Sequence, residues 1–135
     1  VIAEPNGDLG IFGVVGLFAL EKADVIVLDS ASSLLPAEAD EAESLACLQR
    51  LRRYCSDSRS LLLTIDESEI APRMLHSLRS SSEVVLDMNA AFVGGEIKRT
   101  IIVTRFLRAA GPVQASVGWR VEPYMGFIVD ITAVS

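Results

Sequence analysis

The sequence lacks a glycine-rich phosphate-binding loop ending in Lys-Ser or Lys-Thr anywhere in its 135 residues. Such a loop forms half of the usual nucleotide site of P-loop proteins. Histidine and cysteine are also scarce, with 1 and 2 residues. The cysteines, Cys47 and Cys55, are not spaced as zinc ligands, and we expect both to be reduced thiols. Catalytic triads and zinc clusters are therefore excluded as the basis of a function.

Aromatic residues make up only 6% of the chain, while hydrophobic residues make up 50%, so we expect an aliphatic core. Basic residues are outnumbered, with 12 against 18 acidic residues and a net charge of -6. Nucleic-acid binding needs a concentrated basic surface, so no nucleic-acid partner is expected. A chain of this length forms one domain or the larger part of one, and we predict a single domain over residues 1–135.

Long apolar runs are limited to one segment, Leu9 to Leu20, of about 12 residues. A membrane-spanning helix needs roughly 20 residues, and no basic segment precedes this run as in a signal peptide. We expect a buried helix or loop, with a surface that docks on a membrane protein as the alternative. The chain starts with Val1 rather than Met, which we interpret as processing, proteolysis or truncation.

The most informative motif is a strand with an acid at its tip, Ala23 to Ser30 (ADVIVLDS). Four consecutive apolar residues predict a strand buried on both faces of a parallel α/β sheet. Asp29 then lies at the carboxyl end of the strand, where open α/β sheets bind ligands. A carboxylate followed by the Ser30 hydroxyl suits Mg²⁺ on a nucleotide, because hard cations prefer oxygen ligands. This pattern is typical of a Walker B element.

The rest of the chain alternates helices and strands and then turns to hairpins. A turn at Pro5-Asn6-Gly7 precedes the Leu9 to Leu20 segment, which is predicted as a helix, and a loop over Ser30 to Asp40, in which Pro36 bars a helix, follows the first strand. The helix over 41–55 has its periodic positions at Leu45, Leu48, Leu51 or Arg52, and Cys55, with acids in its first turn. The arginines at its end are either a solvated helix end or a contact for a partner or phosphate. The remaining predictions are a buried strand over 60–65, a helix over 69–79, a third strand over 83–88, a Gly94-Gly95 turn into a strand over 97–106, and a hairpin of 116–122 with 127–133. The order predicts a parallel α/β sheet extended by antiparallel hairpins.

A second group of polar residues follows the 60–65 strand. In a parallel sheet its tip shares an edge with Asp29, which places Thr64 and Asp66 where P-loop proteins carry a sensor of the γ-phosphate. The alternative for Asp66, with Glu67 and Glu69, is an acidic N-terminal cap of the 69–79 helix. Both roles stay open.

Two arginines, Arg105 and Arg108, end the 97–106 strand beside a Gly-Pro loop. An arginine supplied by a neighbouring subunit can stabilise charge on a phosphoryl group. The alternative is that both are surface arginines.

Taken together, four blocks resemble the second half of the FlaH (ArlH) family, the ATP-binding accessory proteins of the archaeal flagellum, which are relatives of the KaiC and RecA ATPases. The most specific block is Trp119 to Phe127 (WRVEPYMGF), since family members end in a similar aromatic, acidic, Pro and Gly signature. The other three blocks are ADVIVLDSASSLL, SRSLLLTIDESEI and SEVVLDMNAAFVGGEIKRTIIVTRF.

The resemblance implies a RecA-like P-loop NTPase core, a three-layer αβα fold of which this chain is the C-terminal part without Walker A. It implies binding of ATP with Mg²⁺, weak or no hydrolysis, and self-assembly into a ring with a hexamer as the expected size. It also implies docking on the secretion ATPase of the archaellum motor and on its membrane platform protein. The implied location is cytoplasmic, at the membrane face of the motor.

Residue by residue, the resemblance makes Asp29 the Walker B acid that holds Mg²⁺ through water, with Ser30 following as in the family. Arg105 falls near a basic position that reaches a neighbour's γ-phosphate in the KaiC relatives. Family members often carry His-Pro where this chain has Asp66-Glu67, which leaves a sensor there open. The 105–111 region is longer than the family pattern, so Arg105 and Arg108 both remain candidates.

Two alternatives accompany this reading. The chain could belong to an active ATPase of the KaiC or RecA type, either clock-like or recombinase-like. It could also act as an interaction-only fragment, in which case we expect no tight ATP binding by this chain alone. Loss of upstream strands would then leave an open sheet edge that favours dimers or swapped assemblies.

Overall fold

A computed structural model describes residues 10–19, 23–35, 40–56 and 58–130. These residues divide into two compact units, unit 1 (Val1–Ser81) and unit 2 (Ser82–Ser135). The single-domain expectation over residues 1–135 stays a prediction. The turn predicted at Pro5-Asn6-Gly7 lies outside the described residues, as do residues 36–39 of the loop predicted over Ser30 to Asp40. The described part of that loop contains a short 3₁₀ turn, Ser32–Leu34.

Unit 1 combines a parallel strand pair with helices. Strands β1 and β2 pair in parallel with Val25 opposite Ser60 and Leu28 opposite Leu63. A parallel pair needs a crossover connection, and α2 provides it. The elements of unit 1 are α1 (Ile11–Ala19), β1 (Val25–Leu28), a 3₁₀ turn (Ser32–Leu34), α2 (Glu41–Cys55), β2 (Ser60–Leu63), a second 3₁₀ turn (Glu67–Glu69) and α3 (Pro72–Ser81).

Helix α2 has the bounds that the sequence predicts, because its ends are encoded locally. The Glu43 backbone N–H donates to Asp40 Oδ1 at 2.8 Å, and the Asp40 N–H donates to Glu43 Oε2 at 3.1 Å. This reciprocal capping box satisfies two of the N–H groups that a helix start leaves unpaired. Arg52 and Arg53 occupy the last turn, as the helix dipole favours.

The buried stripe of α2 differs from the prediction. The buried residues are Ser44, Cys47, Leu51 and Tyr54, whereas Leu45 is 54% exposed and Cys55 is also exposed. Only Leu51 belongs to both sets. The predicted stripe counted apolar residue types, and the helix turns a small serine and the ring of Tyr54 inward instead.

The prediction that β1 is buried on both faces is wrong for this chain. Ile26 and Leu28 are 5% and 6% exposed, but Val25 and Val27 are 58% and 59% exposed. The inward residues join a core whose main members are Ile11, Ile26, Leu28, Leu51, Met74 and Leu78. A run of apolar residues indicates that both faces of a strand favour burial. It does not indicate whether other segments of the chain pack against each face.

Helix α3 starts three positions later than predicted, at Pro72 rather than at residue 69. Proline suits the first helical position because its missing N–H has no intrahelical partner there. The acids before it belong to a separate 3₁₀ turn, Glu67–Glu69, which Asp66 caps by accepting from the Ser68 N–H. The predicted cap of a 69–79 helix is therefore wrong: Asp66 caps the shorter turn.

Unit 2 is an antiparallel sheet in the order β3-β4-β5-β6. Its strands are β3 (Val84–Val93), β4 (Glu96–Phe106), β5 (Ser116–Glu122) and β6 (Gly126–Asp130). The third strand predicted over 83–88 is longer than expected, and its partner among the described residues is the antiparallel β4. The predicted Gly94-Gly95 turn is confirmed, with φ of 62° and 86°, values that glycine adopts without strain.

The second hairpin of unit 2 joins β5 to β6. Glu122 pairs with Gly126 across the turn, and the Trp119 and Phe127 rings stack with centroids 5.3 Å apart. The hairpin prediction is confirmed up to Asp130, and its last residues, 131–133, lie outside the described part. Among the described residues, no helix has the length and apolarity needed to cross a lipid bilayer.

Candidate functional site

The candidate site lies at the carboxyl ends of β1 and β2. Because Leu28 pairs with Leu63, the next residues, Asp29 and Thr64, lie side by side. Thr64 Oγ1 donates a hydrogen bond to Asp29 Oδ1. The sequence prediction that these two strand tips share an edge is met in the geometry.

The backbone continues the pairing past the strand ends. The Thr64 N–H donates to the Leu28 carbonyl at 3.1 Å, and the Ala31 N–H donates to the Thr64 carbonyl at 2.9 Å. The Asp29–Ser30 peptide bond between them is cis. The two main-chain hydrogen bonds hold the Asp29–Ser30 segment next to Thr64.

A second set of contacts links Ser30 to the other strand tip. Ser30 Oγ donates to Ser32 Oγ at 3.0 Å and accepts from the Ser32 N–H at 3.2 Å. The Asp66 N–H donates to Ser32 Oγ at 2.7 Å. Ser32 is only 2% exposed, so its hydroxyl joins the two tips from within the protein. Sequence reasoning missed this residue, although the run of serines after Asp29 was the available signal.

The Asp66 carboxylate is hydrogen-bonded to Ser68. Its Oδ1 accepts from the Ser68 hydroxyl at 2.6 Å and from the Ser68 N–H at 2.9 Å. The hydroxyl first, and then the N–H, hold the pKa of Asp66 below its ordinary value. Of the two predicted sensor residues, Thr64 contacts Asp29 through its side chain, whereas Asp66 contacts the site through its backbone.

The oxygen set at this edge fits a magnesium ion that is shared with a phosphate. Asp29 offers a carboxylate, Thr64 offers a hydroxyl that is hydrogen-bonded to it, and Ser30, the next residue along the chain, offers a further hydroxyl. Groups of three or more His, Cys, Asp or Glu side chains that could hold a metal are absent from the described residues. Mg²⁺ usually keeps several waters and takes only one or two carboxylates plus substrate phosphates, so one carboxylate suffices.

The two predicted arginines lie in unit 2 and make contacts within it. Arg105 Nε donates to the Ser82 carbonyl at 2.8 Å. Arg108, which has a positive φ of 59°, forms an ion pair with Glu83. Their expected role toward a neighbour's phosphate stays a prediction.

A shallow groove of about 290 Å³ lies elsewhere, between α2 and α3. Leu45 and Leu48 line it together with His76, and an ion pair of Arg73 with Glu41 at 3.3 Å closes one side. None of the strand-tip residues lines this groove. The candidate site is therefore defined by the hydrogen-bonded strand tips.

Sequence comparison finds no matching family model. Two curated relatives, from Methanococcus voltae and Methanocaldococcus jannaschii, are each named archaeal flagellar ATP-binding protein FlaH. They are 27% and 26% identical over 117 residues, or 87% of this chain, and the match covers 51% and 50% of their own lengths. The chain spans about half the length of the curated relatives it matches.

Among solved structures, the flagellar accessory protein FlaH from Methanocaldococcus jannaschii is similar with a TM-score of 0.74 and 24% identity. The match covers 88% of this chain and 54% of that one. A KaiC-like protein from Pyrococcus horikoshii OT3 is similar with a TM-score of 0.60 and 13% identity, over 87% of this chain and 53% of that one. At 24% and 13% sequence identity, these two structural similarities show the fold alone.

The resemblance to FlaH proteins is confirmed, since the curated relatives named FlaH match 87% of this chain. The predicted fold class is confirmed as well. The chain is a mixed α/β structure with parallel strands followed by antiparallel ones, and its structural neighbours are FlaH and KaiC-like RecA-fold proteins.

Proposed function

We propose that this chain is part of an ATP-binding protein of the archaeal flagellum, and that Asp29 and Thr64 form the magnesium side of its nucleotide site. The Asp29–Thr64 hydrogen bond at adjacent strand tips carries this proposal. In open α/β sheets this edge is where ligands bind. The homologues, which are named as flagellar ATP-binding proteins, support the nucleotide as ATP.

Each residue of the edge has a role that its contacts suggest. Asp29 holds Mg²⁺ through water, as a Walker B acid. Thr64 orients the Asp29 carboxylate and is the better-placed sensor, because its hydroxyl touches that carboxylate. Bound Mg²⁺ would neutralise charge on the phosphates. Arg105 or Arg108 would reach the γ-phosphate of a neighbouring subunit.

ATP acts in this proposal as a regulator of assembly. Binding of γ-phosphate and Mg²⁺ orders loops next to them, and such loops can set the affinity for a partner. The protein would form a ring, with a hexamer as the expected size, on the cytoplasmic side of the membrane. Its partners would be the motor ATPase and the membrane platform protein of the archaellum. The similarity to a KaiC-like protein supports the fold of such a protein and carries no information on ATP turnover.

The test compares two aspartates at opposite ends of β1 in the full-length protein. Asp29 follows the last residue of the strand, and the exposed Asp24 precedes the first. Asp29→Ala should abolish MgATP-dependent ring formation, because the magnesium-side carboxylate is lost. Asp24→Ala should leave it intact. Light scattering after gel filtration, with and without MgATP, measures the assembly.

Ring formation that is unchanged in Asp29→Ala would refute the regulatory site. A multiple-turnover phosphate-release assay on the same samples separates the regulatory protein from an active ATPase. Sustained turnover that Asp29→Ala removes would favour the ATPase of the KaiC or RecA type.

A further inference from the structure

Ser32 is the one residue of the strand-tip edge that contacts both tips through a single buried oxygen. Its Oγ accepts from the Ser30 hydroxyl at 3.0 Å and from the Asp66 N–H at 2.7 Å. Ser30 follows Asp29 directly, and Asp66 is two residues beyond Thr64. The Ser32 hydroxyl therefore joins the residues that flank the Asp29–Thr64 pair on both strands.

Ser32 lies in a buried and hydrogen-bonded part of unit 1. Residues 32–34 form a 3₁₀ turn shortly after Asp29 in the chain, and Ser32 is 2% exposed. The neighbouring Ala31, which is 0% exposed, donates its N–H to the Thr64 carbonyl at 2.9 Å. Displacing this buried oxygen would break the hydrogen bonds from both donors at once.

Burial of a serine does not by itself imply such a role in this fold. Ser44 on α2 is also 2% exposed, yet its Oγ has no hydrogen-bond partner among the described residues. Unit 1 therefore contains two equally buried serines, of which only Ser32 connects separate elements. The contrast separates the effect of the Ser32 contacts from the effect of burying a hydroxyl.

We propose that Ser32 is a positioning residue that sets the spacing of Asp29 and Thr64 for a magnesium-bound nucleotide. The proposal rests on the proposed function. Ser32 acts through the Ser30 hydroxyl and the Asp66 backbone, without touching the nucleotide itself. Its removal leaves the Asp29 carboxylate present but allows the two strand tips to shift relative to each other. Residues that orient a metal-binding group typically change metal affinity by about 10- to 100-fold when substituted.

The test compares Ser32→Ala with the matched control Ser44→Ala in the full-length protein. Binding of ATP is measured by calorimetry in Mg²⁺ and again in excess chelator. Ser32→Ala should weaken MgATP binding by about tenfold and leave Mg²⁺-free ATP binding close to that of the unsubstituted protein. Ser44→Ala should change neither value. Equal losses with and without Mg²⁺ would overturn the proposal, because a general structural defect acts on both.

A second measurement needs no nucleotide. Hydrogen exchange at the Asp66 and Ala31 amides reports directly on the contact between the tips, and Ser32→Ala should accelerate both. Unchanged exchange at these amides would overturn the positioning role. If the unsubstituted protein binds no MgATP, the proposed function fails, and the exchange result alone then decides whether Ser32 couples the tips.

If Ser32→Ala does not fold, the pair Ser32→Thr and Ser32→Val replaces it. Threonine and valine have nearly the same shape, and only threonine retains the hydroxyl. MgATP affinity and amide protection that survive in Ser32→Thr and fall in Ser32→Val would support the proposal. Equal behaviour of these two variants would overturn it.

Discussion

Unit 1 and unit 2 differ in where their apolar side chains lie. The hydrophobic core described in this structure runs from Ile11 to Leu78, all of it in unit 1. In unit 2, cross-strand partners place apolar residues on one face of the sheet, and many of them are largely exposed. We call this the apolar face of unit 2, and its most exposed members are Leu86, Met88, Phe92, Ile97, Val121 and Phe127.

The two units are stabilised by different interactions. Unit 1 buries apolar area between its own sheet and helices, and the hydrophobic effect rewards that burial in the chain itself. Unit 2 has strand pairing and turn geometry, but its apolar face is open in this chain. Monomeric soluble proteins rarely expose large contiguous apolar patches of this kind. The exposed Val25 and Val27 of β1 give unit 1 a smaller face of the same type.

The largest expected effect comes from one substitution made in each unit. Met74 is 0% exposed in the core of unit 1, and Met88 is 63% exposed on the apolar face of unit 2. Met74→Ala should lower the free energy of unfolding by about 2–5 kcal/mol, since it leaves a cavity. Met88→Ala should change it by less than about 0.5 kcal/mol. Urea unfolding of the two variants measures both values.

A loss of stability in Met88→Ala as large as that in Met74→Ala would contradict this difference between the units. Such a result would mean that the apolar face of unit 2 is covered in solution. Repeating the Met88→Ala measurement at several protein concentrations would then show whether another copy of the chain provides the cover, because that contribution would grow with concentration.

A smaller effect comes from glycine, which the two units use differently. Gly95 in the β3–β4 turn has φ of 86°, whereas Gly16 lies in helix α1, where an added Cβ would meet no other element within 4 Å among the described residues. Gly95→Ala should destabilise by about 1–2 kcal/mol, because a Cβ is strained at positive φ. Gly16→Ala should stabilise by up to about 1 kcal/mol through helix propensity. Thermal unfolding monitored by circular dichroism compares the two variants.

The sign of the two glycine effects is the decisive outcome. A neutral Gly95→Ala would show that the hairpin turn tolerates another conformation. Loss of stability in Gly16→Ala would show that another segment packs closely against α1 at that position.

The sequence predicts those parts of the fold whose determinants are local. Helix α2 has its predicted bounds because Asp40 and Glu43 encode its start within four positions. The Gly94-Gly95 turn is likewise a short-range signal. The approach of Asp29 to Thr64 was predictable, because parallel strands bring their carboxyl ends to one edge.

The parts that could not be predicted depend on contacts between distant segments. The exposure of Val25 and Val27 on β1 depends on which other segments pack against that face. The four apolar residues of the strand carry no information about those segments. The start of α3 was ambiguous, since Pro72 is acceptable anywhere in a first turn. Ser32 was missed because its role depends on Asp66, a residue that is distant along the chain and close only in the fold.

The smallest expected effect is a change in the pKa of Asp66, next to the candidate site. The Ser68 hydroxyl is the largest cause of the lowered pKa of Asp66. Ser68→Ala should therefore raise this pKa toward its ordinary value, though not fully, because the Ser68 N–H remains a donor. Ser80 on α3 donates its hydroxyl to a backbone carbonyl instead, so Ser80→Ala should leave the pKa of Asp66 unchanged. Carboxyl titration by NMR reads both variants.

The same shift fixes the direction of a stability change with pH. A carboxyl whose pKa is lower in the folded state stabilises the fold above its unfolded pKa of about 4, and that contribution is lost as pH falls through the folded value. The acid limb of the stability curve should consequently be shallower in Ser68→Ala than in Ser80→Ala. The effect is small because Asp66 is fully exposed. Identical acid limbs in the two variants would mean that the Ser68 hydroxyl does not hold Asp66, and that the turn beside the site is set by its backbone alone.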